Sequence, residues 1–552
     1  MGNVTSLDSF RQFNDSESAL SLALKLRTQG KSVSNIAAQL NIPRSTLRDK
    51  LTSHDEILLP ESVKAAFATH DGWEFLKRLC ISAHVCFRNS CECGLRVLSM
   101  FFKMTGLDAL IGGSLGCQWK FGTETDEAIV EFGEEELHRI APAVAGKEIT
   151  AAVDENFHEG PCLIAIEPVS NFILTETLAE NRDTKSWEEA MLPILATLGV
   201  KVVQVTSDSG SSILSLCKNV FEAHHSPDLF HIIYDFRRCF MPSIRIVRRA
   251  IERELNESET EEDAILKMAS TWQHLPPSER GSGRPPNFNS LLLQEQKRQA
   301  ELFSRLSQVH KYEQDIGDSL TQLSQNYHPV CLKTGKRTGA ASFQQHLAKF
   351  SEQARIIISE LYLADFASVA LEKFERMGVK MLSTLEMIAA TWHSCAAAEC
   401  LNAKEAFALE VYLAPAAYLE RLAYNSRTLD AYDLEKTAAG LRTNALNSHA
   451  PERISELNSV AKKMADDFQR SSSMVEGRNG ALSLRHHAFH ELSPLKRTVL
   501  TVMHNFVTLR HDGTTAGERF SGERPRCLIE WLCERIQTLP KAGGKRIISK
   551  VA

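Results

Sequence analysis

The sequence predicts an α/β core with a mixed sheet, set between segments that are wholly helical. Between residues 149 and 240, short apolar runs alternate with turn residues and helical stretches, in the order three strands, helix, strand, helix, strand. Before and after this region apolar residues recur at helical spacing, and residues 241–465 show no strand pattern. These patterns predict a mixed five-stranded sheet with helices on both faces.

The first three apolar runs are Ile149–Val153, Cys162–Ile166 and Phe172–Leu174. Their close spacing predicts an antiparallel meander. The elements predicted after them are a helix over 186–198, a strand over 200–206, a helix over 212–223 and a strand over 228–233.

Length and composition limit the classes of protein to which this chain can belong. A chain of 552 residues with 43% hydrophobic and 24% charged residues is typical of a globular protein of several domains, and this excludes a disordered or fibrous chain. The sequence lacks an apolar run long enough to span a membrane and an N-terminal signal peptide. Thirteen scattered cysteines then predict free thiols in a reducing compartment, the cytoplasm.

The N-terminal residues predict a DNA-binding module. The net charge is −6, so a nucleic-acid binder of this composition must concentrate its positive charge locally. Residues 16–53 predict three short helices with a tight turn before Pro43, the pattern of a helix-turn-helix. A small bundle with a basic solvated face is the alternative. The side chains expected to reach bases and phosphates are Arg44, Ser45, Thr46, Arg48 and Lys50.

A group of cysteines follows in a helical region. Cys80, His84, Cys86, Cys91 and Cys93 leave zinc binding open, but they lack the paired CxxC spacing. Buried free thiols are therefore the favoured interpretation.

Two aspartates follow predicted strands. Asp154 closes the first apolar run and Asp208 follows the fourth. Sites form at the carboxyl ends of strands in open sheets, and a half-desolvated carboxylate there is compensated by a hard divalent cation such as Mg²⁺. Phosphodiester chemistry commonly uses two such ions about 3.5–4 Å apart. Each aspartate alone is also compatible with a turn or helix-cap role.

A third acid is expected from a later helix. Glu476 begins a helical segment rich in small and basic residues, with Arg478 and Asn479 beside it. Such a glutamate suits a site where metal ions and a DNA backbone meet. Glu518 is the alternative third acid.

Four segments carry a resemblance to a known family. They are AAVDENF with CLIAIEPVSNFIL around Asp154, VVQVTSDSGSSIL around Asp208, PDLFHIIYDF, and SSSMVEGRNGALS with MHNFVTLRHDGTTAGERFSG around Glu476. The chain resembles the DDE transposases of bacterial insertion-sequence type, in the ribonuclease-H-like integrase superfamily. The resemblance implies a ribonuclease-H-like core in which Asp154, Asp208 and Glu476 are the catalytic residues and hold two Mg²⁺ or Mn²⁺ ions.

The spacing between the second and third acids is longer than a ribonuclease-H-like core alone requires. Asp208 lies 54 residues after Asp154, whereas Glu476 lies 268 residues after Asp208. We assign the excess to an all-helical insertion, which some members of the family carry. The predicted domains are 1–56 (helix-turn-helix), 57–148 (helical, with weaker signals for a second DNA-binding domain), 149–240 and 466–525 (the two parts of the core), 241–465 (insertion) and 526–552 (basic tail).

The resemblance also implies an activity and its partners. Hydrolysis at the end of a mobile element frees a 3′-hydroxyl, which then attacks target DNA. The expected partners are double-stranded DNA and a second copy or more of this chain in the bacterial cytoplasm, with no membrane and no small-molecule substrate. His231 is expected to be structural or to touch phosphate. The cations predicted to contact the DNA backbone, or else to form a solvated helical face, are Arg478, Arg485, Lys496, Arg497, Arg510 and Arg519.

Two other functions compete with an active transposase. A domesticated DNA-binding or regulatory protein would keep the fold without the chemistry, although all three acids are present. A resolvase on the same fold is disfavoured by the N-terminal helix-turn-helix.

Overall fold

The computed structural model describes residues 17–44, 47–48, 51, 59–91, 93–157, 160–281, 283–284, 286–426, 430–489 and 492–541. The chain divides into two compact units. The first contains residues 1–139, 484–518 and 523–552, and the second contains residues 140–483 and 519–522. Across the described ranges, none of the helices combines the length and the apolar character needed to cross a membrane.

The N-terminal helices form a small core of their own. Helix Val33–Gln39 begins after Ser32, whose Oγ accepts a hydrogen bond from the backbone N–H of Asn35 at 3.2 Å. Residues 44, 47, 48 and 51 are also helical. The core is formed by Ala23, Leu26, Ile36, Ala37, Ile42 and Leu47. The described residues are therefore compatible with the predicted group of short helices.

The rest of the first unit is helical. Its described helices include Glu17–Thr28, Val33–Gln39, Glu61–Phe67, His70–Ala83, Leu95–Met104, Pro494–Phe506 and Leu528–Arg535, together with the larger part of Leu115–Val144 and half of Ala516–Ser521. Between them, residues His84–Ser90 form a π-helical turn. Cys80 is buried in helix His70–Ala83, and burial raises the pKa of its thiol to about 12. The prediction of buried free thiols therefore holds for Cys80 but is wrong for Cys86 and Cys91, which are exposed, and Cys93 is partly exposed.

One five-stranded mixed sheet lies in the second unit, which confirms the predicted α/β class with all-helical regions. The strands are β1 (Glu148–Phe157), β2 (Pro161–Glu167), β3 (Phe172–Leu178), β4 (Lys201–Ser207) and β5 (His224–Pro227). Their order in the sheet is β3-β2-β1-β4-β5. β1 pairs antiparallel with β2, β2 pairs antiparallel with β3, and β4 pairs parallel with both β1 and β5.

The predicted last strand over residues 228–233 is wrong. β5 ends at Pro227, and the long helix Leu229–His274 begins directly after it. The carboxylate of Asp228 caps this helix, accepting hydrogen bonds from the backbone N–H groups of Phe230 at 2.6 Å and His231 at 3.4 Å. A short apolar run does not by itself distinguish a strand from a buried helix face. Here the helix cap formed by Asp228 favours the helix.

The predicted all-helical region between the sheet and Glu476 is confirmed. Its described residues contain no strand beyond an isolated bridge between Val330 and Arg337. Three rings, Phe236, Phe350 and Phe374, lie in its core in edge-on or tilted contact, with centroids about 5 Å apart. The helices are Leu229–His274, Phe288–Asn326, Ala340–Glu360, Asp365–Ala398, Ala403–Ala408, Ala414–Asn425, Asp430–Leu446 and Pro451–Asp466.

The remaining helices of the second unit connect the strands of the sheet or follow the all-helical region in the sequence. Thr184–Leu198 connects β3 to β4, and Ser211–Ser215 with a π-helical turn connects β4 to β5. Helix Ser473–Phe489, which carries Glu476, begins in this unit.

Candidate active site

The sheet brings Asp154 and Asp208 to the same edge. β1 and β4 run parallel with Ala152 opposite Thr206, so the two aspartates each lie two residues further along adjacent strands. Both aspartates line one open cavity together with Thr184. Parallel neighbouring strands thus place their carboxylates side by side, as the sequence predicts.

Glu476 reaches this edge because the chain returns to β5 after the helical insertion. The carboxylate of Asp228 accepts a hydrogen bond from the backbone N–H of Ser472 at 2.7 Å and another from the Ser472 hydroxyl. Nearby, the backbone N–H of Leu229 donates to the carbonyl of Arg470 at 3.1 Å. These bonds fix the start of the glutamate helix, Ser473–Phe489, beside the end of β5.

The glutamate helix is held on one face of the sheet. Asp154 is paired with Ile164 of β2, which is paired with Glu176 of β3, so all three side chains share a face. From the helix, Asn479 donates from its side-chain amide to Asp154 Oδ2 at 2.9 Å. Arg478 donates to Glu176 Oε1 at 3.0 Å. Two residues of the glutamate helix therefore bind two strands.

The three acids interact electrostatically. The pKa of Asp154 is raised to about 6, chiefly by burial and to a smaller extent by the negative charges of Glu476 and Asp208. Both of the other acids thus lie within electrostatic range of Asp154.

Glu476 has a histidine partner from the long helix. His231 Nε2 lies 3.0 Å from Glu476 Oε1, with 28% of the histidine side chain and 42% of the glutamate side chain exposed. As they are placed, no three His, Cys, Asp or Glu side chains of the described residues are arranged to hold a metal ion. The donor set nevertheless fits a hard divalent cation, since it comprises three carboxylates, one of them poorly solvated and flanked by like charges.

Two cations predicted to contact DNA are instead buried within the fold. The side chain of Arg478 is 9% exposed and is ion-paired with the fully buried carboxylate of Glu176. Arg497 is 2% exposed and donates to the carbonyl of Leu492. This corrects the predicted DNA contacts at Arg478 and Arg497, because a guanidinium group used inside the fold does not reach a phosphate.

Lys496 lies in a half-buried polar cluster. It donates to the side chain of Asn89 and lies 3.6 Å from Asp126, and burial lowers the pKa of its ammonium group to about 8. The neighbouring Arg485 donates to the Asn89 carbonyl at 3.2 Å.

The other predicted DNA-binding residues have varied positions. Arg510 and Arg519 are partly exposed, and Arg519 donates to the carbonyl of Ser170 at 2.9 Å. Arg44 and Arg48 are exposed. Ser45, Thr46 and Lys50 lie outside the described residues. Glu518, the alternative third acid, belongs to the first unit. Asp154, Glu476 and the histidine that contacts Glu476 all belong to the second unit.

Sequence reasoning missed three residues that build the site. Asp228, Glu176 and Asn479 fix its position, yet the sequence analysis names only Asn479, as a neighbour of Glu476, and predicts no contact for any of them. For Asn479 a signal existed, because a residue three positions after Glu476 lies on the same face of a helix. The partners of Asp228 and Glu176 lie 244 and 302 residues away in the sequence, and no local pattern indicates them.

One family model matches part of the chain. It is described as "Family of unknown function (DUF6399)" and covers residues 409–547. The matched region includes Glu476 and Asn479 but neither Asp154 nor Asp208. No curated protein matches the chain.

Proposed function

We propose that this chain is a DDE-type transposase of bacterial insertion-sequence type, with Asp154, Asp208 and Glu476 as its catalytic residues on a ribonuclease-H-like core. The observation that carries the proposal is the convergence of the three acids. Although 54 and 268 residues separate the successive acids in the sequence, Asp154 and Asp208 line one cavity, and the helix that carries Glu476 binds Asp154 through Asn479. The mixed five-stranded sheet supports the proposal, since the resemblance implies one.

The reaction is cleavage of a DNA strand at an element end, followed by transfer of the new 3′-hydroxyl to target DNA. Two Mg²⁺ or Mn²⁺ ions held by the three acids would supply the positive charge that phosphodiester displacement needs. The protein's own part is orientation. Asn479 holds one carboxylate oxygen of Asp154, and His231 holds one of Glu476. Strand transfer requires two DNA ends together, so we expect a dimer or larger assembly on DNA.

Substitution of Asp208 by Asn tests the catalytic assignment. We expect Asp208→Asn to slow nicking of a supercoiled plasmid that carries candidate element ends by about a thousandfold in Mg²⁺, which corresponds to about 4 kcal/mol of transition-state stabilisation. The amide keeps the shape of the side chain and removes its charge. The measurement is the rate at which the supercoiled form converts to the open circle.

The matched control is Asp263→Asn, the same chemical change at an exposed position of helix Leu229–His274. Nicking by this variant should equal that of the intact protein. Equal nicking rates for the intact protein and Asp208→Asn would eliminate the catalytic assignment, whereas an intact protein that binds the DNA without nicking it would favour a domesticated DNA-binding protein.

A further inference from the structure

Two exposed aromatic rings stand at the start of the long helix, beside the catalytic centre. The rings of Phe230 and Tyr234 are stacked, with centroids 6.0 Å apart and planes inclined by 15°. They remain 58% and 50% exposed, respectively. The guanidinium group of Arg238 lies 5.9 Å from the centre of the Tyr234 ring. An exposed aromatic pair of this kind does not stabilise the core, and its apolar faces are available to a ligand.

The same face of the helix continues as a row of exposed arginines. Positions spaced by three or four residues fall on one side of a helix. On that side lie Arg237, Arg238, Arg245 and Arg249, all exposed. With a rise of 1.5 Å per residue, the distance from Phe230 to Arg249 is about 28 Å. We call these four arginines with Phe230 and Tyr234 the aromatic–arginine stripe.

Nearby acidic residues leave most of this positive charge available. Asp235 is bound by Lys373 Nζ at 2.7 Å and lies 3.9 Å from Arg238. Arg248, at the edge of the stripe, differs from these arginines because its charge is already paired. It donates to Glu313 at 2.7 Å and is mostly buried, so its charge serves the packing of two helices.

The aromatic–arginine stripe begins at the catalytic acids. Phe230 contacts the ring of His231 edge-on at 5.6 Å, and His231 contacts Glu476. One cavity has Asp208, His231, Asp235 and Arg238 among its lining residues. A strand whose phosphate lies at the acids therefore has the stripe as its immediate neighbour.

We propose that the aromatic–arginine stripe binds an unpaired DNA strand next to the reacting phosphate. One base stacks on Phe230 and Tyr234, and the phosphates that follow lie along the arginines. This inference rests on the proposed function for the identity of the strand. Bases of an intact duplex have their faces covered by neighbouring base pairs, so exposed rings accept a base only from an unpaired segment. Arginine combines stacking with phosphate binding, which suits a sequence-tolerant track.

The test compares two labelled DNAs binding to the full chain in EDTA. One is a duplex with an unpaired overhang containing 2-aminopurine, and the other is the blunt duplex. We expect the double variant Phe230→Leu/Tyr234→Leu to bind the overhang DNA at least tenfold more weakly, because stacking contributes about 1–3 kcal/mol per base. Quenching of 2-aminopurine on binding should also be lost. Affinity for the blunt duplex should change less than twofold.

The control is Phe303→Leu, which removes a 50% exposed ring from helix Phe288–Asn326 and should change neither affinity nor quenching. A second variant, Arg245→Gln/Arg249→Gln, should reduce the slope of log affinity against log salt by roughly 1.4 for the overhang DNA. Unchanged overhang affinity and quenching in the aromatic variant would overturn the proposal and leave the rings as a surface for a protein partner.

Failure here is distinguishable from failure of the proposed function. Binding in EDTA does not depend on cleavage, and the nicking test with Asp208→Asn does not depend on the aromatic–arginine stripe. Normal nicking chemistry with no effect of the aromatic substitutions would reject the stripe alone.

Discussion

Asp154→Asn is expected to stabilise the metal-free protein while abolishing its response to Mg²⁺. The pKa of Asp154 is raised from 3.8 to about 6, chiefly by burial. Between these two values the folded protein keeps a proton that the unfolded chain releases, so stability falls as the pH rises through this window. Above pH 6 the cost is fully present and amounts to about 3 kcal/mol at 1.36 kcal/mol per pKa unit. Asparagine carries no charge and can still accept the hydrogen bond from Asn479.

The measurement is urea unfolding of both proteins in EDTA from pH 4 to pH 8. The stability difference between variant and intact protein should be small near pH 4 and should approach about 3 kcal/mol at pH 7. Adding Mg²⁺ should raise the melting temperature of the intact protein only, because ions that bind the folded state stabilise it. A variant that is less stable than the intact protein at pH 8 would contradict the electrostatic explanation.

The sequence predicts those features of the site that depend on local pattern. Short apolar runs bounded by turn residues predict the strands, and the aspartates after two of these runs indicate the edge of the sheet. Glu476 was recognised from residues within a few positions of it. The predicted strand over 228–233 failed because its apolar residues are equally compatible with a buried helix face, and only the contacts of Asp228 decide between them.

The surroundings of a side chain cannot be predicted locally when they are formed by residues far away in the sequence. Arg478 is predicted to contact DNA because it lies beside Glu476 in a segment of small and basic residues, yet Glu176 on β3, 302 residues away in the sequence, neutralises its charge. The two rings of the aromatic–arginine stripe escaped prediction for the opposite reason. Phe230 and Tyr234 belong to an apolar run and would ordinarily be assigned to the core, whereas the capped helix turns them to solvent.

Asp228→Ala is expected to destabilise the second unit by about 4 kcal/mol. The carboxylate is 1% exposed and accepts four hydrogen bonds, two from the first turn of the long helix and two from Ser472. Its removal leaves buried donors without acceptors, at about 1–3 kcal/mol each before relaxation. Because Ser472 lies four residues before Glu476, the position of the third acid is lost with the fold of this junction.

Two milder variants separate the helix cap from the bond to Ser472. In Asp228→Asn one oxygen still caps the helix, but the amide N–H₂ faces the backbone N–H of Ser472, and two donors cannot bond. Ser472→Ala removes only the hydroxyl. We therefore expect losses of about 4, 2 and 1 kcal/mol for Asp228→Ala, Asp228→Asn and Ser472→Ala in urea unfolding. Asp228→Asn should also lose most of the stabilisation by Mg²⁺.

The matched control is Asp183→Ala, which removes another aspartate cap, that of helix Thr184–Leu198, whose side chain accepts from Ser186. Asp183 is exposed and holds a single helix end, so its removal should cost much less than that of Asp228. Equal losses for the two alanine variants would mean that Asp228 acts as a cap alone. In that case the glutamate helix would be positioned by its contacts with the sheet, through Arg478 and Asn479.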